Sequence, residues 1–260
     1  MQKNKFNKQP EQNKPSVDND QRVMGIHAVK ASILHMPRRA QKLHIAEGSS
    51  RLDEIAALAK QMGVIIEKYN KKTFSERFGD DVVHQGVVLV AKSFPYVDFH
   101  EFLEKTPPQL CLVLDGVEDP RNLGRAARSA FALGAQLLII SKDRSAQITA
   151  TAEKAAVGTL AQLPVARVTN LSHTFADLKK AGIWVIGAAG EASMPAWKCD
   201  LTKPCALVIG SEENGLKKLV REQCDELIHI PMITPDLSLN AADAVTVLMY
   251  EAARQRSFKH

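Results

Sequence analysis

The sequence predicts an α/β protein: a mostly parallel sheet covered by helices in its second half, preceded by a smaller α/β domain. Three observations predict this. From Gln109 onward, short apolar runs alternate with stretches at helical spacing, the pattern of strand–helix–strand units. Those runs are apolar at nearly every position, which suits strands buried on both faces. With 260 residues, 45% hydrophobic and 24% charged, the chain has the composition of a globular protein able to build a sizeable core.

Met1 to Gln21 is rich in Gln, Asn, Lys and Pro and nearly lacks large apolar side chains, so it predicts a disordered tail. Its lysines suit RNA phosphates or simple solvation. Residues 22–92 form the small domain. Gly25–Leu34 has helical apolar spacing, Lys42–Ala46 alternates like a strand, and Leu52–Met62 is an amphipathic helix stopped by Gly63. Val64–Ile66 and Val87–Val90 complete it as strands. Residues 93–108 hold three prolines and little periodicity, which marks a linker. In the large domain, residues 109–260, strands are expected at Leu110–Leu114, Gln136–Ile140, Val165–Val168, Ile183–Gly187, Ala206–Ile209 and Leu227–Ile230. Helices are expected at Leu123–Leu133, Thr149–Val157, Ser172–Ala181, Leu216–Cys224 and Asn240–Phe258.

The 34 Lys and Arg exceed the 29 Asp and Glu, giving a net charge of +5 that suits a polyanionic partner but is also common without one. None of the four cysteines forms a C-x-x-C pair, and no His cluster sits at zinc spacing, so no metal is expected. Cys111 and Cys205 lie in apolar runs and read as small buried hydrophobes. Reduced thiols, no signal-peptide core and no apolar run of about 18 residues predict a cytoplasmic protein without a membrane segment.

Three segments follow strand-like runs: Asn122-Leu-Gly-Arg-Ala-Ala-Arg128, Ile209-Gly-Ser-Glu-Glu-Asn-Gly215 and Ile230-Pro-Met-Ile-Thr-Pro-Asp-Leu-Ser-Leu-Asn240. Carboxyl ends of strands are where α/β proteins build sites, so the three suggest one composite pocket. Arg121, Arg125 and Arg128, spaced by four and three, share a helix face that suits phosphate contacts or plain solvation. Gly210 permits a close backbone approach to a ligand. Glu212 accepts hydrogen bonds from loop amides or an arginine, or merely supplies charge at a helix start. Ser238 or Asn240 caps the last helix, with Asp243 in its first turn. No G-x-G-x-x-G follows a strand and no G-x-x-x-x-G-K-[ST] occurs, which argues against nicotinamide dehydrogenases and P-loop enzymes.

In order and context, these segments resemble the three motifs of the SpoU (TrmH-type) ribose 2′-O-methyltransferases of the SPOUT superfamily. The resemblance runs from Leu112 to about Arg256. Gly25-Ile-His-Ala-Val29 and His84-Gln-Gly-Val-Val88 are similar to the family's ribosomal-protein-like RNA-binding domain. With Asp143-Arg-Ser-Ala-Gln147 and Asn170-Leu171, they point to the RlmB branch, which methylates a guanosine ribose of 23S rRNA. The resemblance implies a trefoil knot in the C-terminal portion, a homodimer with the site near the subunit interface, and S-adenosyl-L-methionine as cofactor. Gly187, Gly190, Gly210, Ile230 and Leu239 would line the cofactor pocket. Asn122, Arg128, Glu212, Ser238 and Asn240 would be the catalytic set, with Arg128 binding the adjoining phosphate and stabilising the developing alkoxide, since a guanidinium is a poor base. Arg121, Arg125, Lys142 and Arg144 would hold RNA. Methylation of another rRNA or tRNA ribose, or an RNA-binding protein that has lost catalysis, are the alternatives. The chain departs from the family after Asn240: where Val, Ser and Val are usual it has Ala241-Ala-Asp243, which places a carboxylate either in the core or harmlessly in the helix's first turn.

Overall fold

The computed structural model describes residues 22–79, 83–234 and 237–257. The tail expected over Met1–Gln21 lies outside them. The chain forms two sheets. The first contains β1 (Arg22–Met24), β2 (Ala40–Ala46), β3 (Ile65–Tyr69) and β4 (Val87–Ala91), in the order β1-β4-β2-β3. β4 is antiparallel to both neighbours, while β2 and β3 run parallel. α1 (Ile26–His35) and α2 (Ser50–Gln61) contribute Val29, Ile33, Ile55 and Ala59 to a core shared with Leu43, Ile45 and Leu89. α3 (Lys71–Phe78), capped by Asn70, was not legible in the sequence because Phe74 and Phe78 are its only large apolar residues.

α4 (Phe99–Lys105) lies in the stretch expected to be a bare linker. Asp98 caps it by accepting from the Glu101 amide at 2.9 Å, and Phe99 anchors it in the core. The second sheet is parallel throughout. Its strands are β5 (Leu110–Asp115), β6 (Leu137–Ser141), β7 (Val165–Val168), β8 (Trp184–Ala188), β9 (Met194–Pro195), β10 (Cys205–Gly210) and β11 (Glu226–His229). Their order is β7-β6-β5-β10-β8-β11-β9, so β10 is inserted between β5 and β8. The short edge strand β9 was not expected. Side chains alternate between the two faces as strand geometry requires. Leu112, Leu138 and Leu207 face one core with α5 (Pro120–Ala132), α6 (Ala150–Ala156) and α9 (Ala241–Ser257). Val113, Ile139 and Val208 face the other with α7 (Leu171–Lys180) and α8 (Lys218–Glu222). Each such side chain, fully buried, contributes about 1.5–3 kcal/mol.

Two contacts fix the surroundings of the site. Gly124 on α5 lies against α6 so tightly that a Cβ there would sit 2.3 Å from the Ala152 carbonyl oxygen. The two sheets are joined by Arg39, whose guanidinium forms a bidentate pair with Glu153 of α6 at 2.5 and 3.0 Å and donates to the Lys92 carbonyl. Both side chains are about 95% buried (4% and 5% exposed).

Candidate active site

β5 ends at Asp115, and the turn that follows leads into α5. Asp119 caps that helix by accepting from the Arg121 amide at 2.8 Å, with Pro120 in its first turn. This start places Asn122 in the first turn, buried and pointing toward the end of β10. After β10, Ser211 and Gly215 exchange backbone hydrogen bonds at 3.1 and 2.9 Å, closing a tight loop that holds Glu212. Asn240 precedes α9, and its side-chain oxygen accepts from the Ala242 amide at 2.9 Å.

These three residues meet. The Asn122 amide donates to Glu212 Oε1, and Asn240 Nδ2 donates to the same oxygen at 2.6 Å and to Asn122 Oδ1 at 3.3 Å. Asn240 is therefore both a helix cap and a member of a polar triad that draws on all three motifs. Glu212 is the shared acceptor and not merely a helix-end charge.

Two clefts converge on the Glu212 loop. One, of about 440 Å³, lies between Gly116–Asp119, Asn122, Arg144 and Lys217. The other, of about 610 Å³, lies between the Ala188–Glu191 turn, the 209–216 loop, His229–Met232 and Leu237–Leu239. Ser211, Glu212, Glu213 and Asn214 line both.

Of the residues expected at the cofactor, Gly190, Gly210, Ile230 and Leu239 line the larger cleft, and Ser238, expected in the catalytic set, lines it too. Gly187 is not in it: a Cβ there would strike Cys224 Sγ at 2.7 Å and Leu216 and Leu227 at 2.8 Å, so this glycine serves packing behind β8. Gly210 also has a different reason from the one expected. A Cβ there would lie 2.0 Å from the Gly215 carbonyl carbon, so its neighbour is the chain's own loop rather than a ligand.

The arginine face of α5 is exposed, as its spacing requires. Arg121 is engaged by Asp119 at 3.0 Å and Arg125 by Asp243 at 3.1 Å. The Arg125–Asp243 pair settles the departure from the family pattern: Asp243 is 54% exposed in the first turn of α9, not a buried carboxylate. It also occupies one arginine the sequence had assigned to RNA. Arg128 forms no ion pair among the described residues and lines neither cleft. Lys142 is exposed and lines neither cleft, whereas Arg144 lines the smaller one.

Sequence reasoning missed Asp115 and Lys217. The buried Asp115 carboxylate accepts from Lys217 Nζ at 2.8 Å and from the Lys217 amide at 3.2 Å, tying the ends of β5 and the β10 loop together. The signal was present as a carboxylate directly after an apolar strand. It also missed Arg144's backbone, whose φ of 52° is a left-handed conformation that costs a non-glycine residue about 1–2 kcal/mol.

S-Adenosylmethionine fits the larger cleft. Its walls offer apolar side chains for an adenine ring, Gly190 leaves open space where a Cβ would meet nothing within 4 Å, and two of its lining residues, His229 and Arg221, carry a buried ring or guanidinium nitrogen (Nδ1 and Nε) with no hydrogen-bond partner among the described residues. Among the described residues, no group of three or more His, Cys, Asp or Glu is placed to hold a metal ion. Burial raises the thiols of Cys199 and Cys224 to about 11, which keeps them protonated and unreactive at neutral pH.

A parallel sheet with a polar triad and two joined clefts at its carboxyl end defines an α/β protein with a composite ligand site. Comparison with known proteins gives that class its family. Residues 109–250 match the SpoU rRNA Methylase family, and residues 22–97 match the RNA 2′-O ribose methyltransferase substrate binding family. The chain belongs to the SpoU methylase family. It is 40% identical over 240 residues to the 23S rRNA (guanosine-2′-O-)-methyltransferase RlmB of Escherichia coli, covering 90% of this chain and 98% of that one. To the protein of the same name from Haemophilus influenzae it is 41% identical over 242 residues, covering 91% and 98%. Among solved structures it is similar to the SpoU methyltransferase AviRb from Streptomyces viridochromogenes in complex with the cofactor AdoMet, with a TM-score of 0.77 and 26% identity over 91% of this chain and 90% of that one.

Proposed function

We propose that this protein transfers a methyl group from S-adenosylmethionine to the 2′-hydroxyl of a guanosine ribose in 23S rRNA. The observation that carries this reading is the Asn122–Glu212–Asn240 triad at the meeting of the two clefts, within a chain of this family. The larger cleft holds the cofactor, through the Ala188–Glu191 turn, the Gly210 loop and the backbone around Ile230 and Leu239. When bound, S-adenosylmethionine supplies an electrophilic methyl group on a sulfonium leaving group.

The chain's own residues do the rest. Glu212, fixed by two amide donors, holds the loop shared by both clefts, so the ribose in the smaller cleft faces the cofactor side. Positioning of this kind supplies much of the rate in a displacement that already has a good leaving group. Ser238 stands exposed on the wall of the larger cleft, within the third motif. Arg128 binds the phosphate next to the target ribose and stabilises the developing alkoxide, whose proton passes to that phosphate or to water. Because Arg128 lies outside both clefts of one chain, we place it at the junction of a homodimer in which the α5 and α9 faces meet. Tyr250 and Val247, 57% and 42% exposed on α9, supply an apolar surface for it. The insertion of β10 between β5 and β8 supports a trefoil knot threaded through the loops of the larger cleft. Residues 22–92 serve as the RNA substrate-binding domain, 93–108 connect it to the methyltransferase domain at 109–260, and the rRNA substrate places the reaction in the cytoplasm.

Mapping ribose methylation in 23S rRNA from cells with and without the gene tests the reading. One guanosine should lose its 2′-O-methyl group in the deletion and regain it when the purified protein and S-adenosylmethionine are added to that RNA. An unchanged methylation map, with no transfer in vitro, would overturn it.

A further inference from the structure

The smaller cleft does not end at the active site. It shares Arg144 and Lys217 with a second cleft of about 300 Å³, which shares Thr169 and Asn170 with a third of about 310 Å³. Together they make a groove across the carboxyl ends of β5, β6 and β7, adjacent strands set about 4.8 Å apart. The third cleft is lined by Arg167 and His173. Arg167 is held under Tyr96, its guanidinium 5.7 Å from the ring centroid, and its buried Nε has no hydrogen-bond partner among the described residues. At the first junction the Arg144 backbone is held in its left-handed conformation (φ 52°), while its side chain is exposed. Strain of this kind persists where the surroundings over-determine it, and it clusters at ligand sites.

We infer that this groove carries the nucleotides flanking the target ribose as a single strand leading away from the active site, with Arg144, Arg167, Asn170 and His173 as contacts that select and position the RNA. The inference rests on the RNA-methylation reading and adds to it the path of the substrate. Three considerations favour a single strand. The groove begins at the cleft that holds the ribose. It follows a line of strand ends rather than a broad face. Its lining joins Arg144 and Arg167 to the Asn170 amide and the His173 imidazole, groups that hydrogen-bond base edges as proteins do in reading unpaired RNA; of its carboxylates, Asp115 is paired with Lys217 and Asp177 with Lys180, Asp98 caps α4, and Asp143 stands beside Arg144.

The test uses full-length protein and two measurements on the same preparations. Fluorescence anisotropy with single-stranded oligouridines of increasing length reads the groove. Methyl transfer to overlapping 23S rRNA fragments reads the function. Asn170→Asp keeps the cap on α7, where Asn170 now accepts from Ser172 and His173, but sets a negative charge on the path. Arg144→Asn keeps a residue that tolerates left-handed backbone. In the wild type, affinity should rise as the oligouridine lengthens, and each variant should blunt that rise about tenfold, the equivalent of one lost charge-assisted contact. Ultraviolet cross-linking of thiouridine-substituted oligouridine to wild-type protein should label peptides around Arg144 and Asn170, a result that depends on no variant folding. Equal length dependence in wild type and variants, or cross-links confined to other surfaces, would overturn the groove. Absence of methyl transfer to every fragment would instead remove the function while the binding data still judged the path.

Discussion

Glu212 Oε1 takes two amide donors at once, and an ionised acceptor makes each bond stronger. Bonds to charged groups contribute about 1.5–3 kcal/mol against 0.5–1.5 for neutral ones, so Glu212→Gln should lower turnover roughly tenfold at saturating cofactor. Asp243→Ser breaks only an exposed ion pair with Arg125, which contributes about 0–1 kcal/mol, and should leave turnover within a few-fold. Equal losses in one methyl-transfer assay would contradict the triad's role. Arg128→Ala should lower transfer by about 10²–10³ with the melting temperature unchanged, because Arg128 has no partner among the described residues to lose. A rate near wild type would remove it from the mechanism. At this scale the sequence pointed to residues that the structure brings together, and less well to the contacts each one makes. Asn122, Glu212 and Asn240 were legible because each follows a strand. Gly187 packs against Cys224, Leu216 and Leu227 outside the larger cleft, while Gly210 lines that cleft and also packs against Gly215; a glycine that yields to a ligand and one that yields to its own chain look the same in sequence. The Arg125 ion pair was not legible because its partner, Asp243, lies on another helix.

Among the elements, the small sheet carries its own titration. His44 on β2 faces Tyr69 at 3.0 Å and Glu67 at 3.2 Å on β3. Burial dominates over the Glu67 carboxylate and lowers the His44 pKa below its usual 6.5. The unfolded chain therefore takes up this proton first, and stability should fall as pH drops through about 6.5. Hydrogen bonds from Lys42 and Tyr69 hold Glu67 at about 2, so its contribution persists at neutral pH and is lost only as pH falls from 4.5 toward 2. Melting temperature followed from neutral to mildly acid pH should show the first loss in the wild type and a flatter curve in His44→Phe; identical curves would assign the loss elsewhere. The strands and helices of the large sheet were legible because continuous apolar runs and helical spacing survive burial. α3, α4, β1 and β9 were not. They are short, and capping or pairing with distant strands rather than periodicity holds them in place.

At the scale of the whole molecule, the Arg39–Glu153 pair makes the two sheets one packed body. Arg39→Met strands a buried carboxylate and should cost about 3–5 kcal/mol, whereas Arg39→Met with Glu153→Leu should recover most of it. Denaturant midpoints of both variants check this, and a double variant no better than the single would show that packing, not charge, holds the joint. Nothing in the sequence forecast this pair, since 114 residues separate its members. The order of the large sheet has a consequence for how the chain is made. β5, apolar from Leu110 to Leu114, waits for β10, whose residues lie almost a hundred positions later. Until the ribosome has released that stretch, the nascent protein carries a bare strand edge at what will become the middle of its sheet. Long-range parallel pairing is slow and open to wrong partners. Biosynthesis of this methylase should therefore be the vulnerable stage of its life, with chaperone demand concentrated in the interval between the emergence of β5 and that of β10.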